Sequence, residues 1–155
     1  MPYRILVAIE FCETNDNVAD YAFEMARPQD SSVTFIHVTP DLQQIVSGYD
    51  TSALALSTIN LDSMEDDARK RLAGIVGEAA KRHRGVELRY DLVIERGDPA
   101  ERIVGYAWKH GYDVIVLGHR NKNILESIFL GSTAERVVKT ASCTVTLYRH
   151  REKKD

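Results

Sequence analysis

Apolar positions recur along this chain with two periods, and segments of the two kinds alternate. Tyr3–Ile9 (YRILVAI) is a short, nearly continuous apolar run, which suits a strand covered on both faces of a parallel sheet. Val18, Tyr21, Ala22, Met25 and Ala26 then fall on one stripe of a helix, capped by Thr14 or Asn15 and ended by Arg27-Pro28. Val33–Val38 (VTFIHV) is a second strand. From Thr39 to Asn60 no period holds, and Pro40 and Gly48 interrupt. This segment reads as irregular: a lid, a partner surface or a disordered flap. Asp62–His83 is helical, with Met64, Ala68, Leu72, Ile75, Val76 and Ala79 on one face. From Val86 to Ile94, Val86, Leu88, Tyr90 and Leu92 alternate with charges, which predicts an edge strand with one wet face.

Asp98-Pro99-Ala100-Glu101 is a helix start, with a cap, a proline in the first turn and a capping acid. Its apolar stripe is Ala100, Ile103, Val104 and Ala107, and Gly111 ends it. Val114–Leu117 is a fourth strand, Ser132–Thr140 a fourth helix and Thr144–Arg149 a fifth strand. The order β-α-β-(loop)-α-β-α-β-α-β implies right-handed crossovers and an α/β fold: a doubly wound parallel sheet with helices on both faces. Residues 1–150 read as one domain and 151–155 as a short charged tail.

Composition narrows the class. The chain has 155 residues, 44% hydrophobic and 28% charged, with a formal charge of −3. This is a globular balance without the basic excess that nucleic acid demands. No window approaches the ~18 consecutive apolar residues of a membrane span. The N-terminus turns acidic directly after its first strand and lacks the long apolar region of a leader. The two cysteines, Cys12 and Cys143, form no metal-ligand pattern. A cytoplasmic protein with reduced thiols is expected.

The candidate chemistry lies between Asp113 and Arg136. A buried strand breaks at Gly118. A basic loop with His119, Arg120 and Lys122 follows, then Gly131, Ser132 and Thr133. Ser132 and Glu135 stand in S-x-x-E relation before Ala134, Val137, Val138 and Ala141, so Ser132 is expected to cap the helix. Open backbone N–H groups and a helix dipole at such a place favour a phosphate chain. Neither G-x-x-x-x-G-K-[ST] nor a G-x-G-x-x-G after the first strand is present, which removes a P-loop and leaves dinucleotide binding poorly supported. A phosphoacceptor receiver needs an acidic cluster and a strand-end Lys. The chain has Glu10 alone, Glu95 followed by Arg96, and Arg149.

The glycine pattern is G-x-x-N-x9-G-S-T (Gly118, Asn121, Gly131, Ser132, Thr133). With ILVAIEF at the start, His37-Val38, GDPAERIV at Gly97–Val104 and LGSTAERVVKTASCTV at Leu130–Val145, the chain resembles the universal stress protein family. The resemblance covers nearly the whole chain and implies five parallel strands in the order 3-2-1-4-5. In such sheets a ligand sits beyond the strand ends where the order reverses, here between strands one and four. The family's ATP-binding members carry G-x-x-G-x9-G-[ST]. This chain has Asn121 at the second glycine and Glu10 where the family often has Asp. Asn is a mild replacement where a glycine has positive φ.

The resemblance implies an ATP-binding stress-response or regulatory protein. Adenine is expected near Ala8, Ile9, Glu10 and Val38. The phosphates are expected near Leu117, Gly118, Arg120 and Asn121 and the helix start at Gly131, Ser132 and Thr133, with Mg²⁺ accompanying them. No base for water attack is evident, so hydrolysis is at most slow. Partners are expected to be a second copy through the last strand and a regulated protein, not nucleic acid or membrane. The alternative is a dimeric interaction module of the same fold that has lost nucleotide binding.

Overall fold

The computed structural model describes residues 3–11, 15–27, 31–48, 58–83, 89–119 and 130–149. Its elements in chain order are β1 (Arg4–Ala8), α1 (Asn15–Ala26), β2 (Ser32–Thr39), α2 (Leu42–Gly48), α3 (Leu61–Arg82), β3 (Tyr90–Arg96), α4 (Pro99–His110), β4 (Val114–His119), α5 (Ser132–Thr140) and β5 (Thr144–Arg149). The five strands form one sheet in the order 3-2-1-4-5, and every pair is parallel. β1 is central, with Val7 opposite Phe35 of β2 and Val116 of β4.

Alternation along β1 divides the core in two. Ile5, Val7 and Ile9 point to one face, where Val18, Ala22 and Phe23 of α1 and Leu72, Val76 and Ala79 of α3 bury them. Leu6 points to the other, against Ala100, Ile103 and Ala107 of α4 and Ala134 and Val137 of α5. Helices on both faces explain why β1 carries no polar alternation.

Several expectations shift once the elements pack. The segment after Thr39 is not irregular throughout, because α2 occupies Leu42–Gly48. Its signal is the reciprocal cap D-x-x-Q: Gln44 N donates to Asp41 Oδ1 at 2.8 Å, and Asp41 N donates to Gln44 Oε1 at 2.9 Å. Residues 49–57 of that segment lie outside the described residues, as do Cys12, Thr14, Val86, Leu88 and the tail from 150 on. The buried face of α1 is wider than one stripe. It includes Ala19 and Phe23, because α3 lies beside α1 and Phe23 meets Phe35 edge-on at 5.3 Å. Met64 and Val138, assigned to apolar stripes, are 36% and 46% exposed. β3 is an edge strand but has no single wet face, since Leu92 and Ile94 pack on one cluster and Val93 on the other. β4 does not stop before Gly118. It continues to His119, with Gly118 opposite Tyr148. A Cβ on Gly118 would stand 2.8 Å from Val18 Cγ2, so this position is small because α1 crosses it closely.

Helix α4 has the start and stop that its sequence predicts. Asp98 Oδ1 accepts from Glu101 N at 3.0 Å, Pro99 fills the first turn, and Gly111 closes the helix at φ 65°. The other Asp98 oxygen accepts from Arg136 Nη1 of α5 at 2.7 Å. These two contacts, Arg136 first, hold the Asp98 carboxyl below its ordinary 3.8. A depressed folded value stabilises the fold above the unfolded value, and that stabilisation disappears as pH falls through the folded one. Asp98→Ala should therefore cost about 1 kcal/mol at pH 7, mostly through the lost cap, since a half-exposed ion pair contributes little. Denaturant unfolding of the two proteins should show the gap at pH 7 and its closure below about pH 4.

Candidate functional site

Connections from β1 and β4 diverge to opposite faces, which leaves a crevice beyond their carboxyl ends. Counting the solvent at its open mouth, about 680 Å³ of space lies among its lining residues. Its floor is Ala8, Ile9 and Glu10 after β1, with Leu117 and Gly118 of β4. One wall is Ile36, His37 and Val38 of β2. The rest comes from Val18 of α1, Pro99 and Ile103 of α4, and Thr133 and Ala134 of α5. The lining is mainly aliphatic. Ile9, Ile36, Ile103 and Leu117 are buried, while Glu10 and Gly118 are exposed at the mouth. Ile9 N donates to Ile36 O at 2.9 Å, extending the ladder one residue past β1 and holding the floor to the wall.

Two helices begin at this crevice, and they begin differently. The start of α4 is occupied by the Asp98 carboxylate. The start of α5 has Gly131 as its cap residue, at φ 83° and ψ 149°, with no side-chain hydrogen bond to the cap. That backbone conformation is reached almost only by glycine. The expected Ser132 cap is thereby corrected: Ser132 is the first helical residue. The first intrahelical bond runs from Glu135 N to Gly131 O at 3.0 Å. Glu135 is then too far into the helix to reach back, and its carboxylate takes Lys139 Nζ at 2.6 Å. A glycine cap supplies no side chain to the first-turn N–H groups of Ser132, Thr133 and Ala134, so an anion can take that place. Arg136, one turn on, is tied to Asp98 and, at 3.7 Å, to Glu101, so the two helix starts are bridged.

The structure thus brings Ala8, Ile9, Glu10, Val38, Leu117, Gly118 and Thr133 together on one crevice, with Gly131 and Ser132 at the adjoining helix start. Arg120 and Asn121 lie outside the described residues, as does Lys122. Sequence reasoning did not assign Val18, Ile36, His37, Pro99, Ile103 or Ala134 to the site. Four of these are apolar core positions with no chemical signature. Pro99 was read only as a helix start, and His37 only as part of a family pattern. Cys143 is partly buried against the second cluster, and burial raises its thiol pKa. It plays no part in the crevice. No group of three or more His, Cys, Asp or Glu able to hold a metal occurs among the described residues, and no helix there is long and apolar enough to cross a membrane.

Comparisons with known proteins agree with this architecture. Universal stress protein Sll1388 of Synechocystis is 28% identical over 154 residues, covering 95% of this chain and 97% of its own. The structure of universal stress protein UspA from Lactobacillus plantarum superposes with a TM-score of 0.73 at 27% identity, covering 95% of this chain and 97% of that one. A universal stress protein from Archaeoglobus fulgidus in complex with dAMP has a TM-score of 0.63 at 19% identity, over 94% and 96% of the two chains. A universal stress protein in complex with cAMP has 0.63 at 14%, over 96% and 97%. At those identities the last two speak for the fold alone. The sequence model of the Universal stress protein family matches residues 1–149, nearly the full chain, and on that match this protein belongs to the universal stress protein family.

Proposed function

We propose that this protein binds ATP in the crevice between β1 and β4, and that nucleotide occupancy is its regulatory signal. The observation that carries this reading is the pairing of an aliphatic slot with an uncapped helix start on its rim. A purine needs flat apolar walls, and Ile36, Val38, Ile103 and Leu117 supply them. A phosphate chain needs unengaged N–H donors and a positive dipole, and the glycine-capped start of α5 supplies these. The α4 start, already occupied by Asp98, would repel an anion. Adenine would lie at Ala8–Glu10 and Val38, and the phosphates toward Gly118 and Gly131–Thr133, with Arg120 and Asn121 in the connecting segment and Mg²⁺ on the phosphates. The dAMP and cAMP complexes of other family members support a nucleotide as the ligand class. Hydrolysis would be slow at most.

β5 supports a second part of the reading. Among the described residues it is an edge strand paired only with β4, so its outer edge has no strand partner there. A second copy pairing along Thr144–Arg149 would cover it, and a further regulated protein would read the dimer.

Mg-ATP at about 100 times Kd should stabilise the fold by about 2.7 kcal/mol. AMP should protect less, because it lacks the phosphates assigned to α5. A melt unmoved by millimolar Mg-ATP would leave the nucleotide-free dimeric module as the better reading. Gly131→Val should cost about 1–3 kcal/mol of backbone strain and abolish ATP binding while the protein stays folded. A β-branched residue there cannot hold this conformation beside the phosphates. Wild-type affinity in that variant would sink the phosphate assignment. Asn121→Gly should bind ATP as tightly as wild type or tighter. Light scattering at micromolar concentration should report a dimer, and a 17.5 kDa particle would remove the β5 assignment.

A further inference from the structure

The outer face of α4 lies opposite the Ala100, Ile103 and Ala107 side that packs on the sheet, and it carries Glu101, Arg102, Gly105, Trp108 and Lys109. All five are exposed. Trp108 is 76% exposed, although an indole is among the side chains that gain most from burial. Gly105 stands at the centre of this face. A Cβ built there would meet nothing within 4 Å, so its lack of a side chain serves no contact inside the chain. A glycine within a helix is destabilising, which leaves this one without an internal reason.

The chemistry of the face is symmetric about Gly105. Four positions before it stands an acid, Glu101, and four after it a base, Lys109. Three before it stands a guanidinium, Arg102, and three after it an indole, Trp108. A two-fold axis through Gly105 lays two copies of α4 antiparallel and sets each position opposite the one equally far on the other side. Glu101 then faces Lys109 of the second copy, Arg102 faces its Trp108, and Gly105 faces Gly105. Each facing pair is complementary: opposite charges, a cation over an indole, and two bare backbones that let the helices approach. Contacts within the chain do not compete strongly. Glu101 pairs with Arg136 at 3.7 Å, but Arg136 has a closer partner in Asp98 at 2.7 Å. Lys109 forms no ion pair with another described residue. The Arg102 side chain is folded back beside Gly97 and is long enough to turn outward.

We propose that the outer face of α4 is a self-association surface whose partner is the same face of a second copy, paired antiparallel about Gly105. A helix of 12 residues buries less than a standard interface. The contact is therefore weak, with a dissociation constant on the order of 100 µM. α4 packs over β2 and β3, and α5 over β5. The α4 face is thus separate from the β5 edge, and the proposal depends neither on nucleotide binding nor on pairing through β5.

The chain has one tryptophan, so tryptophan emission reports this surface. In dilute protein it should be the emission of a water-exposed indole, open to acrylamide quenching. As concentration rises through ~100 µM it should move to shorter wavelength and resist quenching, while sedimentation shows the mass doubling over the same range. Pairing through β5 alone leaves Trp108 in water, so a dimer with unshifted emission belongs to β5. Glu101→Lys and Lys109→Glu, each alone, set like charges opposite one another twice and should weaken association about tenfold or more. An equimolar mixture of the two variants, or the double variant, restores opposite charges and should associate as wild type does. Gly105→Leu should abolish the pairing by holding the helices apart. Circular dichroism checks that each variant is folded, and the wild-type series needs no variant. Emission that stays unmoved up to ~1 mM, charge variants without effect, or charge variants that fail to recover when mixed would each overturn the proposal.

Discussion

Strand β1 is buried on both faces and hydrogen-bonded along both edges, and the rest of the architecture follows from how those demands are met. Its backbone groups are satisfied by β2 on one side and β4 on the other, in parallel register. Parallel neighbours need crossovers long enough for a helix. Right-handed crossovers that leave a central strand toward opposite edges must cover opposite faces. α1 and α3 therefore cover the Ile5–Val7–Ile9 face, and α4 and α5 cover the Leu6 face. Between the diverging connections the sheet ends without a cover, and the crevice is that gap.

What the gap can bind depends on how the neighbouring helices start. The Asp98 cap makes the α4 start negative and closes it, and its second oxygen fixes α5 through Arg136. Gly131 leaves the start of α5 without a side chain. Of these two helix starts, that of α5 is the one without a side-chain cap. On the β2 side, the Ile9 carbonyl accepts from His37 Nδ1, and the imidazole stacks on Phe11, over which the Arg71 guanidinium lies.

The reach of sequence reasoning shows in particular elements. α4 was legible to the residue, because Asp98-Pro99 and Gly111 act through the backbone of their own helix and need no distant partner. The start of α5 was misread by one position. S-x-x-E at Ser132 and Glu135 is a valid local pattern, but Gly131 takes the cap in a conformation that no side-chain pattern announces. α2 was overlooked although Asp41 and Gln44 cap it by the same rule. Seven residues carry too weak an apolar period to outweigh the proline before them. Phe23 was left off the α1 stripe because one helix in isolation has one buried face, and α3 gives α1 a second.

By itself the sequence determined the alternation of elements, the parallel sheet and the glycine-hydroxyl segment, because periodicity and capping are written in neighbouring residues. The family pattern then led to the strand order and to one side of the crevice. Only the tertiary structure decided which side chains share that crevice. Val18, Ile36, Ile103 and Ala134 are ordinary core residues until α1, α4 and α5 converge beyond the strand ends. His37 finds its hydrogen-bond partner only when β1 brings the Ile9 carbonyl to its Nδ1, 28 residues away along the chain. Such contacts depend on crossover geometry, and no local spacing encodes them.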